Sequence, residues 1–396
     1  MKNLSQIASA VQASTTMAID SLYKQMKADG VDVIGFGAGE PDFATPDEIK
    51  AAGISAIERN RTKYTPAHGM LELRRAVCGR LKADRGLEYR PSQIVVGSGA
   101  KHAVYTALRA IINPGDEVLL PAPYWVSYIE LIRMMGGVPV VLTAGEEKGF
   151  KLSTSQLEAA VTPRTKAMIL NNPSNPTGMM YDREELQAIA DLCVKHDLYV
   201  VADEIYCGLV YDGRPFTSFA TLGEEIKART ILVNGVSKSY AMTGWRIGYA
   251  CANDEISQVM ANYISHSAGS PSTISQEAAL AALTGPQEKI EVMRAAFEER
   301  RNYIVERMNA IPGVSCIKPE GAFYVMMNLK ELFGKTLRGV RIDSADDFAD
   351  VFLKKGLVAV VPGTGFGAPG FIRWSYACSM ENIGEGMDRL ERFLAE

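Results

Sequence analysis

The sequence predicts an α/β protein with a mostly parallel seven-stranded sheet in a large domain and a smaller α+β domain beside it. Between about residues 94 and 251, short β-branched runs alternate with helical stretches, which is typical of a parallel sheet covered on both faces. A long amphipathic pattern follows residue 286, and mixed strands and helices lie beyond it. With 396 residues, the chain also exceeds what one hydrophobic core usually organises.

Seven apolar runs are the strand candidates of the large domain. They are Ile94–Val96, Glu117–Leu120, Val138–Leu142, Ala167–Leu170, Tyr199–Ala202, Ile231–Val233 and Ile247–Ala250. The long helix after Pro286 ends before the Pro312-Gly313 pair, which cannot continue it. We expect residues 46–290 to form the large domain, and residues 1–45 and 291–396 to form the small one, with this helix as a bridge.

Composition excludes several classes of protein. The chain has 42 Lys+Arg against 46 Asp+Glu, a net charge of −4, and its basic residues are scattered, so we expect no nucleic-acid or membrane-surface partner. Its six cysteines lack metal-ligand spacing, so we expect no metal site. The sequence has no signal-like apolar region and no apolar run of 18 residues, so we expect a cytoplasmic protein.

Open α/β sheets bind ligands beyond the carboxyl ends of their strands, so the residues after each strand are the site candidates. The first such segment is "GSGAKHA", in which Gly97 and Gly99 lead into a helix. The backbone N–H groups of a helix N-terminus suit a phosphate. His102 stands where a dinucleotide fingerprint needs its third glycine, and a plain turn remains the alternative.

Two further strand ends carry polar residues. "NNPSNPTG", residues 171–178, contains two Asn-Pro pairs, which predict either a rigid loop that holds an amide side chain or a simple cluster of turns. "DEIY" begins with Asp203 at the end of an apolar strand. A carboxylate there is costly unless it is paired, although Asp203 could also cap a following helix.

The fourth segment is "NGVSKSYAMTGWRIGYAC", residues 234–251, which places Lys238 between two serines after a strand and Arg246 eight residues later. Alone, Lys238 could be a solvated surface charge. Together the four strand ends offer a phosphate cradle, a fixed amide, a buried carboxylate and an amine. One ligand that would use all four is pyridoxal phosphate, because its protein sites pair a Schiff-base lysine with an acid at the ring nitrogen.

At this point the chain resembles the class I aminotransferases of PLP fold type I, and among them the shorter-chain bacterial aspartate aminotransferases. The motifs that carry the resemblance are "GEPDF", "YTPAHG", "NPTG" and "FIRWSYA", spread over nearly the whole chain. The resemblance implies a homodimer with shared active sites and a ping-pong transamination between amino acids and 2-oxo acids.

The resemblance also implies roles for individual residues. Lys238 would be the Schiff-base lysine and proton carrier, Asp203 would bond the pyridine nitrogen, and Tyr206 would contact the phenolic oxygen. The implied cofactor-binding residues are Gly99, Ala100, Lys101, Trp125, Asn175, Asp203, Tyr206, Ser237, Lys238 and Arg246, with Tyr64 from the neighbouring subunit. The implied substrate-binding residues are Ser14, Thr16, Gly39, Lys101, Trp125, Asn175 and Arg373.

Substrate choice is the least determined inference. Arg373 would clamp the α-carboxylate, while Lys101, helped by Ser14 and Thr16, would take the distal carboxylate of a dicarboxylic substrate. Lys101 could instead be an exposed helix lysine. With these matches, the resemblance implies transamination of L-aspartate with 2-oxoglutarate to oxaloacetate and L-glutamate.

Several alternatives stay open at this stage. One is an aromatic or broad-range aminotransferase, including one for prephenate, although similar prephenate-accepting members carry a lysine where this chain has Gln12. A PLP lyase on the same fold, an aminotransferase-like binding domain of a transcription regulator, and a nicotinamide dehydrogenase are the others.

Overall fold

A computed structural model describes residues 2–13 and 15–395 of the chain. Its α-helices, numbered in chain order, are α1 (Gln6–Ser9), α2 (Thr15–Ala28), α3 (Asp47–Glu58), α4 (Leu71–Arg85), α5 (Ala100–Ile111), α6 (Ser127–Met134), α7 (Thr154–Ala160), α8 (Arg183–Lys195), α9 (Glu224–Arg229), α10 (Asp254–Ser267), α11 (Thr273–Thr284), α12 (Glu288–Ala310), α13 (Ala345–Gly356) and α14 (Met380–Ala395). Several are preceded by a capping residue whose side chain accepts a hydrogen bond from a backbone N–H of the first turn, as Asp182 does for α8.

The strands are also numbered in chain order. They are β1 (Ile34–Gly35), β2 (Ile94–Gly97), β3 (Glu117–Ala122), β4 (Val138–Thr143), β5 (Thr165–Asn171), β6 (Tyr199–Asp203), β7 (Thr230–Gly235), β8 (Gly248–Cys251), β9 (Ser315–Cys316), β10 (Tyr324–Asn328), β11 (Thr336–Leu337), β12 (Val340–Arg341), β13 (Val358–Ala359), β14 (Val361–Pro362) and β15 (Phe371–Ser375). The seven predicted strands correspond to β2 through β8, and each observed end lies within two residues of the prediction.

The large sheet has seven strands in the order β2-β8-β7-β6-β5-β3-β4. Its neighbouring strands are parallel except at β8, which runs antiparallel to both β2 and β7. Alternate residues of the inner strands enter different cores: Ile169 and Val201 pack with one group of helices, and Met168 and Val200 with another. The predicted α/β class, with a mostly parallel sheet covered on both faces, is therefore confirmed.

A second, four-stranded sheet has the antiparallel order β14-β15-β10-β9. Its core contains Phe323, Phe352 and Trp374 together with residues of α12, α13 and α14, and it extends to Tyr206 and Leu209 just after β6. Helix α12 has 23 residues and so spans about 35 Å. It matches the long helix predicted after Pro286. The core of the four-stranded sheet therefore also packs against the segment that follows β6 in the large sheet.

Within residues 2–13 and 15–395, no helix combines the length and the apolar character that crossing a membrane requires.

Candidate active site

The segments that follow β2, β5, β6 and β7 meet at one edge of the large sheet, because these strands all run in the same direction. They open into a cavity of about 330 Å³. The residues predicted from sequence that line it are Thr16, Gly39, Ala100, Lys101, Trp125, Asn175, Asp203, Tyr206, Ser237, Lys238, Arg246 and Arg373.

Asp203 is the buried acid of this cavity, with 3% of its surface exposed. Its Oδ2 accepts a hydrogen bond from the Tyr128 hydroxyl at 2.7 Å, and its Oδ1 accepts one from the Ile205 N–H at 3.2 Å. Burial raises the pKa of Asp203 to about 6, although the Tyr128 hydrogen bond opposes the rise. The residues after Asp203 form turns, so Asp203 is not the cap of a helix.

Lys238 lies beside the acid, three residues past β7, and it is only partly exposed. Its Nζ donates a hydrogen bond to the Gly39 carbonyl at 2.5 Å. Burial lowers the pKa of Lys238 to about 8, with Glu40 opposing the shift and Arg246 adding to it. A lysine with this pKa is partly neutral near physiological pH, which suits a nucleophile or a base.

The turn after β2 is built to approach an anion closely. Gly99 is the N-terminal cap of α5 and has a φ of +89°, a conformation that favours glycine. A Cβ at Gly99 would collide with the Arg246 guanidinium, and one at Gly248 would collide with the backbone of Ala100. Arg246 is an exposed residue that lines the cavity, and its guanidinium donates a hydrogen bond to the Ser98 carbonyl at 3.3 Å. A helix N-terminus, a glycine and an arginine together make a cationic turn of the kind that suits a phosphate.

A second arginine reaches the cavity from the small sheet. Arg373 is 2% exposed on β15 and donates to the Asn175 Oδ1 at 3.1 Å and to the Gly37 carbonyl at 2.7 Å. Its guanidinium lies 4.5 Å from the centroid of the Tyr324 ring. Within the described part of the chain its buried Nε has no hydrogen-bond partner, and such a group is costly unless a ligand accepts from it.

The phenol of Tyr206 connects these groups. Its hydroxyl lies 3.4 Å from the Asn175 Nδ2 and 3.0 Å from the Tyr324 hydroxyl. Burial raises the pKa of Tyr206 well above its ordinary value, and Tyr324 adds to the rise. Tyr206 therefore stays a neutral hydrogen-bond donor.

Lys101 and Trp125 lie together in the cavity lining. The Lys101 Nζ lies 4.9 Å from the Trp125 ring centroid. Burial and the nearby Arg246 lower the pKa of Lys101. Thr16 and Met17 of α2 also line the cavity, so two of the residues predicted for a distal carboxylate, Lys101 and Thr16, lie in its lining.

Two predicted residues lie apart from this lining, and a third falls outside the described residues. Gly99 shapes the turn without bordering the cavity, and Ser14 lies outside the described residues. Tyr64 is 97% exposed and does not line the cavity of its own chain.

Six polar residues of the cavity were not predicted from the sequence: Asp20, Glu40, Tyr128, Asn171, Thr243 and Tyr324. Glu40 accepts a hydrogen bond from the Thr243 hydroxyl at 2.8 Å. Glu40 and Thr243 were within reach of the sequence, since they belong to the "GEPDF" motif and the Lys238 segment. Tyr128 lies three residues after Trp125, but an aromatic residue at this spacing usually belongs to the core, so the sequence carried no specific signal for it.

Comparisons with known proteins define the class. The family model for aminotransferase class I and II matches residues 31–390. An aspartate aminotransferase from Bacillus sp. (strain YM-2) is 49% identical over 381 residues, covering 96% of each chain. The crystal structure of an aspartate aminotransferase from Rhizobium meliloti matches with a TM-score of 0.96 and 40% identity, covering 100% of this chain and 99% of that one. The Thermus thermophilus aspartate aminotransferase with maleate matches with a TM-score of 0.93 and 40% identity, covering 99% of this chain and 100% of that one.

The chain therefore belongs to the class I and II aminotransferase family, as the motifs predicted. It is a transferase with the fold of the aspartate aminotransferase structures.

Proposed function

We propose that this protein catalyses pyridoxal-phosphate-dependent transamination of L-aspartate with 2-oxoglutarate to oxaloacetate and L-glutamate. The observation that carries the proposal is the cavity itself. It brings a buried acid, Asp203, and an amine of lowered pKa, Lys238, to face one another beside a cationic turn. The 49% identity to an aspartate aminotransferase supports the choice of substrate.

The residues present fit the cofactor. Gly99, Ala100, Ser237 and Arg246 would hold its phosphate, since glycine at position 99 leaves room for the Arg246 guanidinium beside the N-terminus of α5. Lys238 would hold its aldehyde carbon, and Asp203 would hold a proton on its ring nitrogen. The remaining residues proposed for the ring and its phenolic oxygen are Trp125, Asn175 and Tyr206. Bound there, the cofactor supplies a cationic ring that accepts the electron pair of the breaking substrate Cα–H bond.

The protein residues then divide the remaining work. The Nζ of Lys238 would be the base that takes up the proton of the substrate Cα, and its pKa of about 8 suits both taking up and giving back a proton. Arg373 binds the α-carboxylate through its planar guanidinium, whose buried Nε can donate to it. Gly39 borders this position, and its carbonyl orients the lysine amine.

Dicarboxylic specificity requires a second cation, and Lys101 provides it. Its ammonium group lies at the wall formed by Trp125 and bordered by Thr16, where a distal carboxylate could form a charge-assisted hydrogen bond. Ser14 and Thr16 would add hydroxyl donors.

The assembly we propose is a homodimer with shared sites, of two-domain protomers divided as 46–290 against 1–45 and 291–396. The support for shared sites is Tyr64, a 97% exposed aromatic residue whose phenol would complete the phosphate site of the partner subunit. We also propose a cytoplasmic location, supported by six free cysteines.

The test is the visible absorption spectrum of the purified protein, titrated first with L-aspartate alone and then with 2-oxoglutarate. We expect aspartate alone to convert the cofactor once, with one equivalent of oxaloacetate per site, and turnover to start only with the second substrate. Continuous turnover on aspartate alone would instead identify a lyase, and faster turnover of phenylalanine or prephenate pairs would identify a broad-range enzyme.

A further inference from the structure

The carboxylate of Asp203 has one donor for each oxygen, and both donors are neutral. The Tyr128 hydroxyl donates to Oδ2 at 2.7 Å, and the Ile205 N–H donates to Oδ1 at 3.2 Å. Among the described residues, Tyr128 is the only side chain that donates a hydrogen bond to this carboxylate. Tyr128 is 2% exposed, so this bond is largely shielded from bulk water.

We propose that Tyr128 is a positioning residue for transamination, which holds Asp203 ionised and fixes the orientation of its carboxylate. The inference rests on the proposed function only in the role given to Asp203. A carboxylate with hydrogen bonds to its charged form is easier to keep ionised in an apolar site. The phenol is suited to this because its own pKa is raised by burial and by Asp203, so it remains a donor.

The charges around Asp203 leave this task to Tyr128. Lys238, after β7, attracts the carboxylate, whereas Glu204, the next residue in the chain, is a second buried carboxyl group close by. Glu204 has its own partner, Arg85, at 2.6 Å. Tyr206 also faces Asp203 but bonds to Asn175 and Tyr324.

Tyr128 also contacts the aromatic wall of the cavity. Its ring meets Trp125 edge to face, with centroids 5.2 Å apart and planes at 85°. Such contacts are favourable and orient both rings. Tyr128 thus contacts both Asp203, through its hydroxyl, and Trp125, through its ring. The Tyr128→Phe variant keeps this packing and removes only the hydroxyl group.

The experiment measures Asp203 ionisation in cofactor-free protein. Melting temperatures are recorded from pH 4.5 to 8.5 for the wild type, Asp203→Asn, Tyr128→Phe and the double variant. The advantage of Asp203→Asn over the wild type should grow as the pH rises above 3.8 and level off near pH 6, which is the titration midpoint of Asp203 in the folded protein. In the Tyr128→Phe background we expect that midpoint to rise by about one to two pH units, the loss of a hydrogen bond to a charged group.

A purely structural role for Tyr128 predicts a different result. In that case Tyr128→Phe lowers the melting temperature equally at every pH and leaves the midpoint unmoved, which would overturn the inference. Tyr124→Phe is the matched control, because Tyr124 is also buried nearby and, among the described residues, its hydroxyl donates no hydrogen bond to Asp203. An equal midpoint shift in this control would also overturn it.

A second readout uses the loaded enzyme. In Tyr128→Phe the acid limb of the kcat profile should move to higher pH by the same amount, while KM for aspartate changes little, since Tyr128 does not touch the substrate carboxylate groups proposed above. If the protein fails to transaminate while the midpoint still shifts, the proposed function falls and the Tyr128–Asp203 coupling stands. If the protein transaminates but Tyr128→Phe shifts neither the melting-temperature profile nor the kcat profile, the proposed function stands and the coupling of Tyr128 to Asp203 is refuted.

Discussion

The buried acid of the cavity should weaken the cofactor-free protein, and Asp203→Asn should therefore stabilise it. Burial raises the pKa of Asp203 from 3.8 to about 6. A folded-state pKa above the unfolded value means that the folded protein binds this proton more tightly. The stability that the proton contributes is fully present below about pH 3.8 and is lost as the pH rises through 6.

The magnitude follows from the size of the shift. One pKa unit corresponds to about 1.4 kcal/mol, so a shift of about 2 units costs about 3 kcal/mol once Asp203 is ionised. With an unfolding entropy of about 2.1 cal/mol/K per residue, a chain of this length has about 0.8 kcal/mol/K, so 3 kcal/mol is worth about 4 °C in melting temperature. Asparagine is neutral at every pH and avoids this cost.

Differential scanning calorimetry of the cofactor-free proteins provides the assay. Asp203→Asn should melt about 4 °C above the wild type at pH 7.5, and the advantage should shrink steadily as the pH falls from 6.5 to 4.5. Asp191→Asn, on the exposed face of α8, is the control and should show no such trend. An Asp203→Asn advantage that is constant or grows toward low pH would refute the reasoning, because it would place the carboxylate in a solvated or well-paired environment.

Three further predictions concern the cofactor and the assembly. Lys238→Ala should still bind pyridoxal phosphate through its phosphate contacts but show no transamination, as measured by ultrafiltration binding and by oxaloacetate formation; more than trace activity would contradict the assignment. Mixing Tyr64→Phe with Lys238→Ala subunits should restore activity in hybrid dimers that have one site free of both changes, and no recovery in hybrids that bind cofactor would contradict shared sites. Gly99→Ala should push Arg246 out of the phosphate turn and weaken cofactor binding more than it lowers the melting temperature, as measured by fluorescence titration; unchanged affinity would contradict the cradle.

Many residues of the site could be predicted from the sequence, because the carboxyl ends of parallel strands meet at the same edge of the sheet. Lys238 and Asp203 are 35 residues apart in sequence, yet each follows an apolar run, and parallel pairing of β6 with β7 brings them together. The antiparallel direction of β8 could not be predicted from the sequence, because a four-residue apolar run does not indicate in which direction the strand runs in the sheet.

The groups around the acid were harder to predict for a different reason. Tyr128 lies 75 residues from Asp203, and Tyr324 lies 118 residues from Tyr206. An aromatic residue at helical spacing or in an apolar strand usually belongs to the core, and nothing local marks a hydroxyl that will meet a carboxylate. Only packing of α6 and β10 against the strand ends creates these contacts.

The last prediction concerns Lys101, which carries the choice of substrate. Its ammonium group borders the cavity beside Trp125 and Thr16, so its removal should affect only substrates with a second carboxylate. A charge-assisted hydrogen bond is worth about 1.5 to 3 kcal/mol, so Lys101→Ser should lower kcat/KM for aspartate by about 10- to 100-fold. Alanine and phenylalanine should be almost unaffected, as measured in steady-state assays with 2-oxoglutarate held saturating.

Lys101→Met separates charge from packing. Methionine keeps an apolar stem against Trp125. The Lys101→Met variant should therefore lose as much kcat/KM for aspartate as Lys101→Ser does, while its melting temperature and its affinity for pyridoxal phosphate are preserved. If kcat/KM falls equally for all amino acids in both variants, or if the affinity for pyridoxal phosphate falls, then Lys101 contributes to the phosphate-binding turn next to Arg246 and does not bind the substrate. The dicarboxylate assignment would then give way to an aromatic or broad-range aminotransferase, because without Lys101 this wall of the cavity would no longer distinguish a carboxylate from an apolar side chain.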